Sequence, residues 1–269
     1  MREVLEDKVR ERLRLRERRQ DFERRMRKKR SEEMDVLEEV FDRPTLMTIY
    51  SLLNRGYLQD IFGVVKSGKE SRIYWGKSPR GYNLAIKIYL TTSAEFRRGM
   101  QKYVEGDPRF KRVDRSTRSL IYLWAFKEYD NLGLAREAGV RVPRRVAVEK
   151  NVLLMEFIGK DGVPAPLLKE APLTNPDKTF QEILGGITRL YQKARLVHGD
   201  LSEYNVMIWR DHPVIFDFAQ AVRLDHPMAD TFLRRDLSNI RRYFSRMVAG
   251  VLDLDDLYRK VVAQVAEQA

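Results

Sequence analysis

The chain reads as an α+β protein in which a small antiparallel sheet precedes a mainly helical region, behind an N-terminal helical extension. Three patterns predict this. Between Ile61 and Leu90 apolar residues shift from helical towards strand spacing, with Gly63, Gly68, Gly76 and Gly81 as punctuation and Pro79 beside the last turn, which predicts three antiparallel strands. From Ser116 the period becomes helical through Leu120, Ile121, Trp124, Leu132 and Ala135, and later through Leu237, Ile240, Tyr243, Phe244 and Met247. The first 43 residues hold no Gly or Pro, and Met34, Leu37, Val40 and Phe41 recur at helical spacing.

Composition excludes several classes. With no Cys there is no disulfide, and three dispersed histidines (His198, His212, His226) make a zinc site improbable, so any metal is expected on oxygen ligands. No run of 18 apolar residues occurs and the amino terminus lacks the apolar core of a secretory signal, which predicts a cytoplasmic protein with no membrane partner. The formal charge of +12 points to a polyanion. That charge is uneven: residues 1–30 carry 14 basic and 7 acidic side chains, and residues 31–43 carry 6 acidic and 1 basic. Residues 1–43 are expected as a charged helical extension whose first part suits rRNA, with a solvating tail as the alternative.

Pro44 is expected to end that extension and Thr45 to cap a helix with Leu46, Ile49, Tyr50, Leu52 and Leu53 on its apolar side, closed by Asn54-Arg55-Gly56. The turn Gly63-Val64-Val65-Lys66-Ser67-Gly68-Lys69-Glu70 superficially matches a phosphate loop. Such a loop must open a helix, and here a strand-like run, Ser71 to Gly76, follows. A hairpin flap with Ser67, Gly68 and Lys69 over phosphates is the better reading. Lys87 interrupts the apolar strand Leu84 to Leu90 and needs a carboxylate. A polar, loop-like stretch runs from Thr91 to Arg115. Ser116 then caps a helix with Glu128 on its apolar face, and Glu137 is the weaker candidate partner for Lys87.

The densest chemistry follows. His198-Gly199-Asp200-Leu201-Ser202-Glu203-Tyr204-Asn205, with Asp217 in Val214-Ile215-Phe216-Asp217-Phe218, supplies an acid, an amide five residues on and a second acid after an apolar strand. Phosphoryl transfer from Mg-ATP needs such parts: Asp200 to orient or deprotonate an acceptor, Asn205 and Asp217 as hard oxygen ligands to magnesium (or manganese). Lys87 with Glu128 then reads as the strand-lysine and helix-glutamate pair that holds ATP phosphates in kinases. Met155 would border adenine, with main-chain groups of Glu156 and Ile158 on its edge. Asp236 is expected before the helical run, bracing the loop, or as a helix-start charge. A packing helix is expected from Leu254 to Val265.

Phe157 to Lys169, Ala194 to Asn205, and Asp225-His226-Pro227 leading to Phe232-Leu233-Arg234-Arg235-Asp236, with the Ser67-Gly68-Lys69-Glu70 flap, resemble the type-one branch of the RIO atypical protein kinases, in its archaeal form. The resemblance spans about residues 44–245. It implies a compact two-lobed kinase-like fold, with residues 44–155 as the N-terminal lobe and 156–269 as the C-terminal lobe. It also implies magnesium-dependent ATP use as a serine/threonine kinase or ATPase, and a place in small-ribosomal-subunit maturation on a pre-ribosomal particle. Asp217 would further be a phosphate acceptor, giving an aspartyl-phosphate.

Departures from ordinary kinases sharpen this. Gly199 stands where the catalytic loop usually has arginine, and Asp217-Phe218-Ala219-Gln220 lacks the usual glycine. Only 52 residues follow Asp217, few for a full peptide-binding half. Hydrolysis or autophosphorylation is therefore expected over activation-loop switching. Two other readings stay open: an aminoglycoside- or choline-type small-molecule phosphotransferase, which shares the His-Gly-Asp-Leu loop, and an inactive RNA-binding scaffold.

Overall fold

The computed structural model describes residues 41–91, 99–100, 102–104, 106–107, 109 and 116–263. The expectations for residues 1–40 lie outside these.

Helix α1 (Arg43–Asn54) opens the described chain. Its cap is Asp42, not Thr45: the Asp42 carboxylate accepts from Thr45 N at 3.1 Å. Pro44 sits in the first turn of this helix, where a missing N–H costs nothing because no intrahelical acceptor exists. Thr45 is instead buried, and its hydroxyl accepts from Asn151 Nδ2 at 2.9 Å. Ile49 and Leu52 face inward as expected, whereas Tyr50 is exposed.

The three expected strands form, as β1 (Asp60–Ser67), β2 (Ser71–Lys77) and β3 (Asn83–Tyr89). With β4 (Arg145–Glu149) and β5 (Val152–Glu156) they make a five-stranded antiparallel sheet in the order β1-β2-β3-β5-β4. Alternation along the strands gives the sheet two apolar faces. Leu84, Ile86 and Ile88 of β3, with Val152 and Leu154 of β5, pack on α1. Ala85, Tyr89, Leu153 and Met155 turn the other way, onto α2 (Thr117–Glu137). Lys87 shares their parity and therefore points at α2.

Ser116 caps α2 as the sequence predicts, accepting from Ser119 N at 3.2 Å. The stretch before it is not all loop. Residues 99–100 and 102–104 are helical, with Met100 and Tyr103 buried. Their apolar side chains, spaced three apart, are the signal that a reading weighted by the polar neighbours passes over.

Beyond β5 the chain forms the short ribbon β6 (Gly159–Lys160) and β7 (Val163–Pro164), helix α3 (Pro176–Gln192), and the pairs β8 (Leu196–Val197) with β11 (Val222–Arg223) and β9 (Val206–Trp209) with β10 (His212–Ile215). Helices α4 (Ala229–Phe244) and α5 (Leu254–Val262) follow. Asp236 sits at the middle of α4, seven residues on from its first residue, so it is no helix-start charge. Met247 lies beyond α4 and is exposed. The apolar core on the α2 face of the sheet runs on into Phe180, Ile183, Leu237 and Ile240, so sheet lobe and helical lobe share one interior. Among the described residues no helix is long and apolar enough to cross a membrane.

Candidate active site

Lys87 is buried on the α2 face of the sheet. Its Nζ lies 2.9 Å from Glu128 Oε1 and 2.7 Å from Asp217 Oδ1. Burial alone would lower the lysine, but the carboxylates of Asp217 and Glu128 outweigh it and hold the ammonium well above its usual value. Asp217 is lowered in turn: burial opposes ionisation, and Lys87 more than compensates. The second Glu128 oxygen accepts from the Tyr89 hydroxyl, so this fully buried carboxylate is satisfied on both sides. Glu137 takes no part. It is exposed and lies 3.5 Å from Arg145 at the surface, because it is nine residues along α2 from Glu128, two and a half turns towards its far end.

Asp217 lies two residues beyond β10, just before a 3-10 turn, and adopts φ +66, a left-handed conformation that a non-glycine residue holds at a cost of roughly 1–2 kcal/mol. Helix α2 grips the 3-10 turn that follows. Asn131 Nδ2 donates to Phe218 O at 3.0 Å and Ala221 O at 3.1 Å, and Lys127 Nζ donates to Ala219 O at 3.1 Å. Asn131 also accepts from Arg109 at 3.0 Å. Lys127, Glu128 and Asn131 share the buried face of α2, so one helix fixes both Lys87 and the backbone around Asp217.

The catalytic-loop candidate is anchored from α4. Asp236 accepts from Gly199 N and Leu201 N, both at 2.8 Å, which brackets Asp200. Arg235 donates to the Gly199 carbonyl and Asn239 Nδ2 to Leu201 O at 3.1 Å. Thus the cation missing from position 199 arrives from α4, but it binds backbone. Gly199 is required there, with φ +79 and a Cβ that would meet Gln220 O at 3.0 Å. His198 is buried, and burial pushes it down to about 4. It is therefore neutral near pH 7, with Nε2 bound to Phe216 O at 3.0 Å, a structural link rather than a proton carrier.

Burial and the Asp217 charge raise the Asp200 carboxyl above its usual range. Asn205 Nδ2 donates to Asp200 O at 2.7 Å and to Asp200 Oδ2 at 3.3 Å, so its own oxygen turns away. Among the described residues, neither Asn205 Oδ1 nor Asp217 Oδ2 has a hydrogen-bond partner, which leaves two hard oxygens of the kind magnesium takes. The residues present fit that ion.

Ser67, Gly68 and Lys69 form the exposed tip between β1 and β2, with Gly68 N bonded to Ser71 O at 2.9 Å. Glu70 follows in the same exposed turn, where partial desolvation first and then the charges of Asp217 and Asp200 raise its carboxyl. Met155 is buried at the end of β5. Glu156 N donates to Arg144 O at 2.8 Å and Ile158 O accepts from Ala165 N at 2.9 Å, so the groups these two offer a ligand are the Glu156 carbonyl and the Ile158 N–H. The structure thus gathers Lys87, Glu128, Asp200, Asn205 and Asp217 into one constellation. Tyr89, Lys127, Asn131, Arg235 and Asn239 support it and were not singled out in the sequence; for Asn131 and Asn239 the available signal was their three-residue spacing from Glu128 and Asp236.

Three comparisons bear on this geometry. The RIO domain family matches residues 72–257. The RIO-type serine/threonine-protein kinase Rio1 of Methanocaldococcus jannaschii is 39% identical over 233 residues, covering 87% of this chain and 79% of that protein. The protein of the same name from Haloferax volcanii is 38% identical over 243 residues, covering 90% and 83%. Among solved structures, the Rio2 kinase–ADP/Mg2+–phosphoaspartate complex from Chaetomium thermophilum superposes with a TM-score of 0.62 at 23% identity, over 81% of this chain and 66% of that one, a likeness of fold. With the family match running from the second strand of the sheet into the last helix, and archaeal relatives aligned over most of both lengths, the chain belongs to the RIO kinase family.

Proposed function

We propose that this protein is a RIO-type serine/threonine kinase and ATPase that moves the γ-phosphoryl of ATP first onto Asp217. The observation that carries the reading is the single ammonium of Lys87 held between Glu128 at 2.9 Å and Asp217 at 2.7 Å. Lys87 clamps the phosphates, and Glu128, locked by Tyr89, keeps the lysine in place. Ser67, Gly68 and Lys69 cover the phosphates from the hairpin. Met155, the Glu156 carbonyl and the Ile158 N–H receive the base. Asn205 and Asp217 would hold magnesium, which when bound spreads the negative charge of the phosphates.

Asp217 Oδ2 would attack the γ-phosphorus, the bond to the β–γ bridging oxygen would break, and ADP would leave with that oxygen. Water, oriented by Asp200, would then cleave the acyl phosphate and release inorganic phosphate; a serine hydroxyl replacing water would make a stable phosphoserine. The raised carboxyl of Asp200 suits a group that takes up a proton. The lobes divide at Met155/Glu156, so adenine would sit at the junction. The net charge of +12 supports rRNA on a pre-small-ribosomal-subunit particle as the partner, in the cytoplasm.

Incubation with γ-labelled ATP and magnesium, with and without small-subunit particles, followed by hydroxylamine, separates the outcomes. Label on protein that hydroxylamine removes is an acyl phosphate and is expected to vanish in Asp217→Asn. Asp200→Ala is expected to lose turnover while still binding ATP; unchanged turnover in that variant sinks the enzymatic reading.

A further inference from the structure

Away from the Lys87 centre, α3, the start of β10 and the connector between α2 and β4 enclose a half-open cleft of about 260 Å³. Arg141, Glu182, Arg189 and His212 supply its polar groups, and Val140 and Ile183 part of its apolar wall. One feature there is unexplained by folding. The Nε of Arg189 is buried with no hydrogen-bond partner among the described residues, although buried donors are nearly always paired. Glu182, the acid that lines the cleft, is engaged instead by His212 Nδ1 at 2.9 Å and approached by Lys178 Nζ at 3.8 Å. Arg141 is exposed at the rim, its side chain free of ion pairs to described carboxylates, while its backbone carbonyl accepts from Ile215 N at 2.9 Å and fixes the connector against β10.

We propose that this cleft is a binding site for a small organic anion, a carboxylate or phosphate monoester with an apolar body, whose acid group lies between Arg189 and Arg141. Guanidinium groups suit planar oxyanions because their N–H donors pair with two oxygens at once. His212, held by Glu182, lines the cleft from the β9–β10 side. The volume falls below the roughly 300–1,000 Å³ of a typical ligand pocket, so the site suits a molecule much smaller than a nucleotide. The apolar wall gives the body of such a molecule its place and disfavours a bare, fully hydrated ion.

The test uses the full chain and three probes: benzoate, phenyl phosphate and inorganic phosphate. The protein has three histidines, so the His212 ring signals can be assigned by comparison with His212→Gln and followed by NMR. A saturable shift of His212 is expected with benzoate or phenyl phosphate, whichever source of the acid group the site prefers. It should survive saturation with a non-hydrolysable ATP analogue and weaken at least tenfold in Arg189→Leu. Arg141→Gln, at an exposed position, guards against a folding defect and should weaken binding likewise. The proposal is overturned by the absence of any saturable shift, by a shift that the ATP analogue abolishes, by full retention in both variants, or by inorganic phosphate binding as tightly as phenyl phosphate.

Discussion

Lys87 Nζ lies 2.7 Å from Asp217 Oδ1, although 130 residues separate the two in sequence. The same ammonium satisfies Glu128, which is completely buried, so removing it strands a carboxylate in an apolar interior. Lys87→Met is expected to lower ATP turnover at least about 100-fold, and to cost about 3–5 kcal/mol of stability. In Lys87→Met/Glu128→Leu most of that stability should return, since a well-packed apolar pair replaces a buried ion pair at little cost. Turnover should not return. Urea midpoints and ATPase rates on the same samples decide it; a double variant as unstable as the single one contradicts the stranded-charge account.

Asn131 extends the argument from the lysine to the backbone beyond Asp217. Its amide nitrogen serves two carbonyls, Phe218 at 3.0 Å and Ala221 at 3.1 Å, in a fully buried setting. Asn131→Leu should destabilise the protein by about 2–3 kcal/mol, the penalty of leaving buried acceptors unmade. It should also reduce kcat for ATP hydrolysis about tenfold or more while KM changes less, because the turn that aims Asp217 loosens. Lost stability with kcat within twofold of the parent would make Asn131 a packing residue only.

Much of this centre was legible in the sequence, for a physical reason. Lys87, Asp200, Asn205 and Asp217 are charged or amide groups in apolar or tightly spaced surroundings, where polarity is costly without a task. Strand parity then brings Lys87 to the α2 face, so the pairing with Glu128 was readable from two periodicities, two for the strand and 3.6 for the helix. The Asp42 cap was not singled out, because Thr45 is also a capping residue, if a weaker one than Asp, and the backbone path decides between them. Nor was the anchoring by Arg235 and Asn239, whose partners are carbonyls of a loop whose course the sequence does not specify. The helical residues near Tyr103 were masked by the polar side chains around them.

Asp236 gives a pH signature. Burial raises its carboxyl from 3.8 to about 7, despite the N–H groups of Gly199 and Leu201. A raised folded-state value means that between about pH 4 and 7 the native protein keeps a proton the unfolded chain has lost. This group therefore takes stability away as pH rises through that window, by at most about 4 kcal/mol. Asp236→Asn loses an acceptor at every pH but has no such slope. Its stability relative to the parent should improve between pH 4.5 and 7.5 in urea titrations, and a constant difference across those pH values refutes the assignment.

Lys127 provides the complementary case. Its Nζ is buried over the Trp124 ring, 4.4 Å from the centroid, and bonded to Ala219 O. Burial first, and the Arg109 charge second, lower it from 10.5 to about 7. Below about pH 7 both folded and unfolded chains carry the charge, and the folded state bears the full desolvation cost. Between about 7 and 10.5 the unfolded chain binds the extra proton, so stability from this group rises with pH. Lys127→Met keeps the volume over Trp124 and removes the ionisation, leaving the Ala219 carbonyl without its donor at a cost of about 1–3 kcal/mol. Its stability relative to the parent should therefore be most favourable near pH 7 and decline towards pH 10, by at most about 4 kcal/mol. Thermal or urea unfolding at pH 7, 8.5 and 10 measures the trend. A difference that stays flat would mean that Lys127 remains charged in the fold, held by the Trp124 face and the Ala219 carbonyl together.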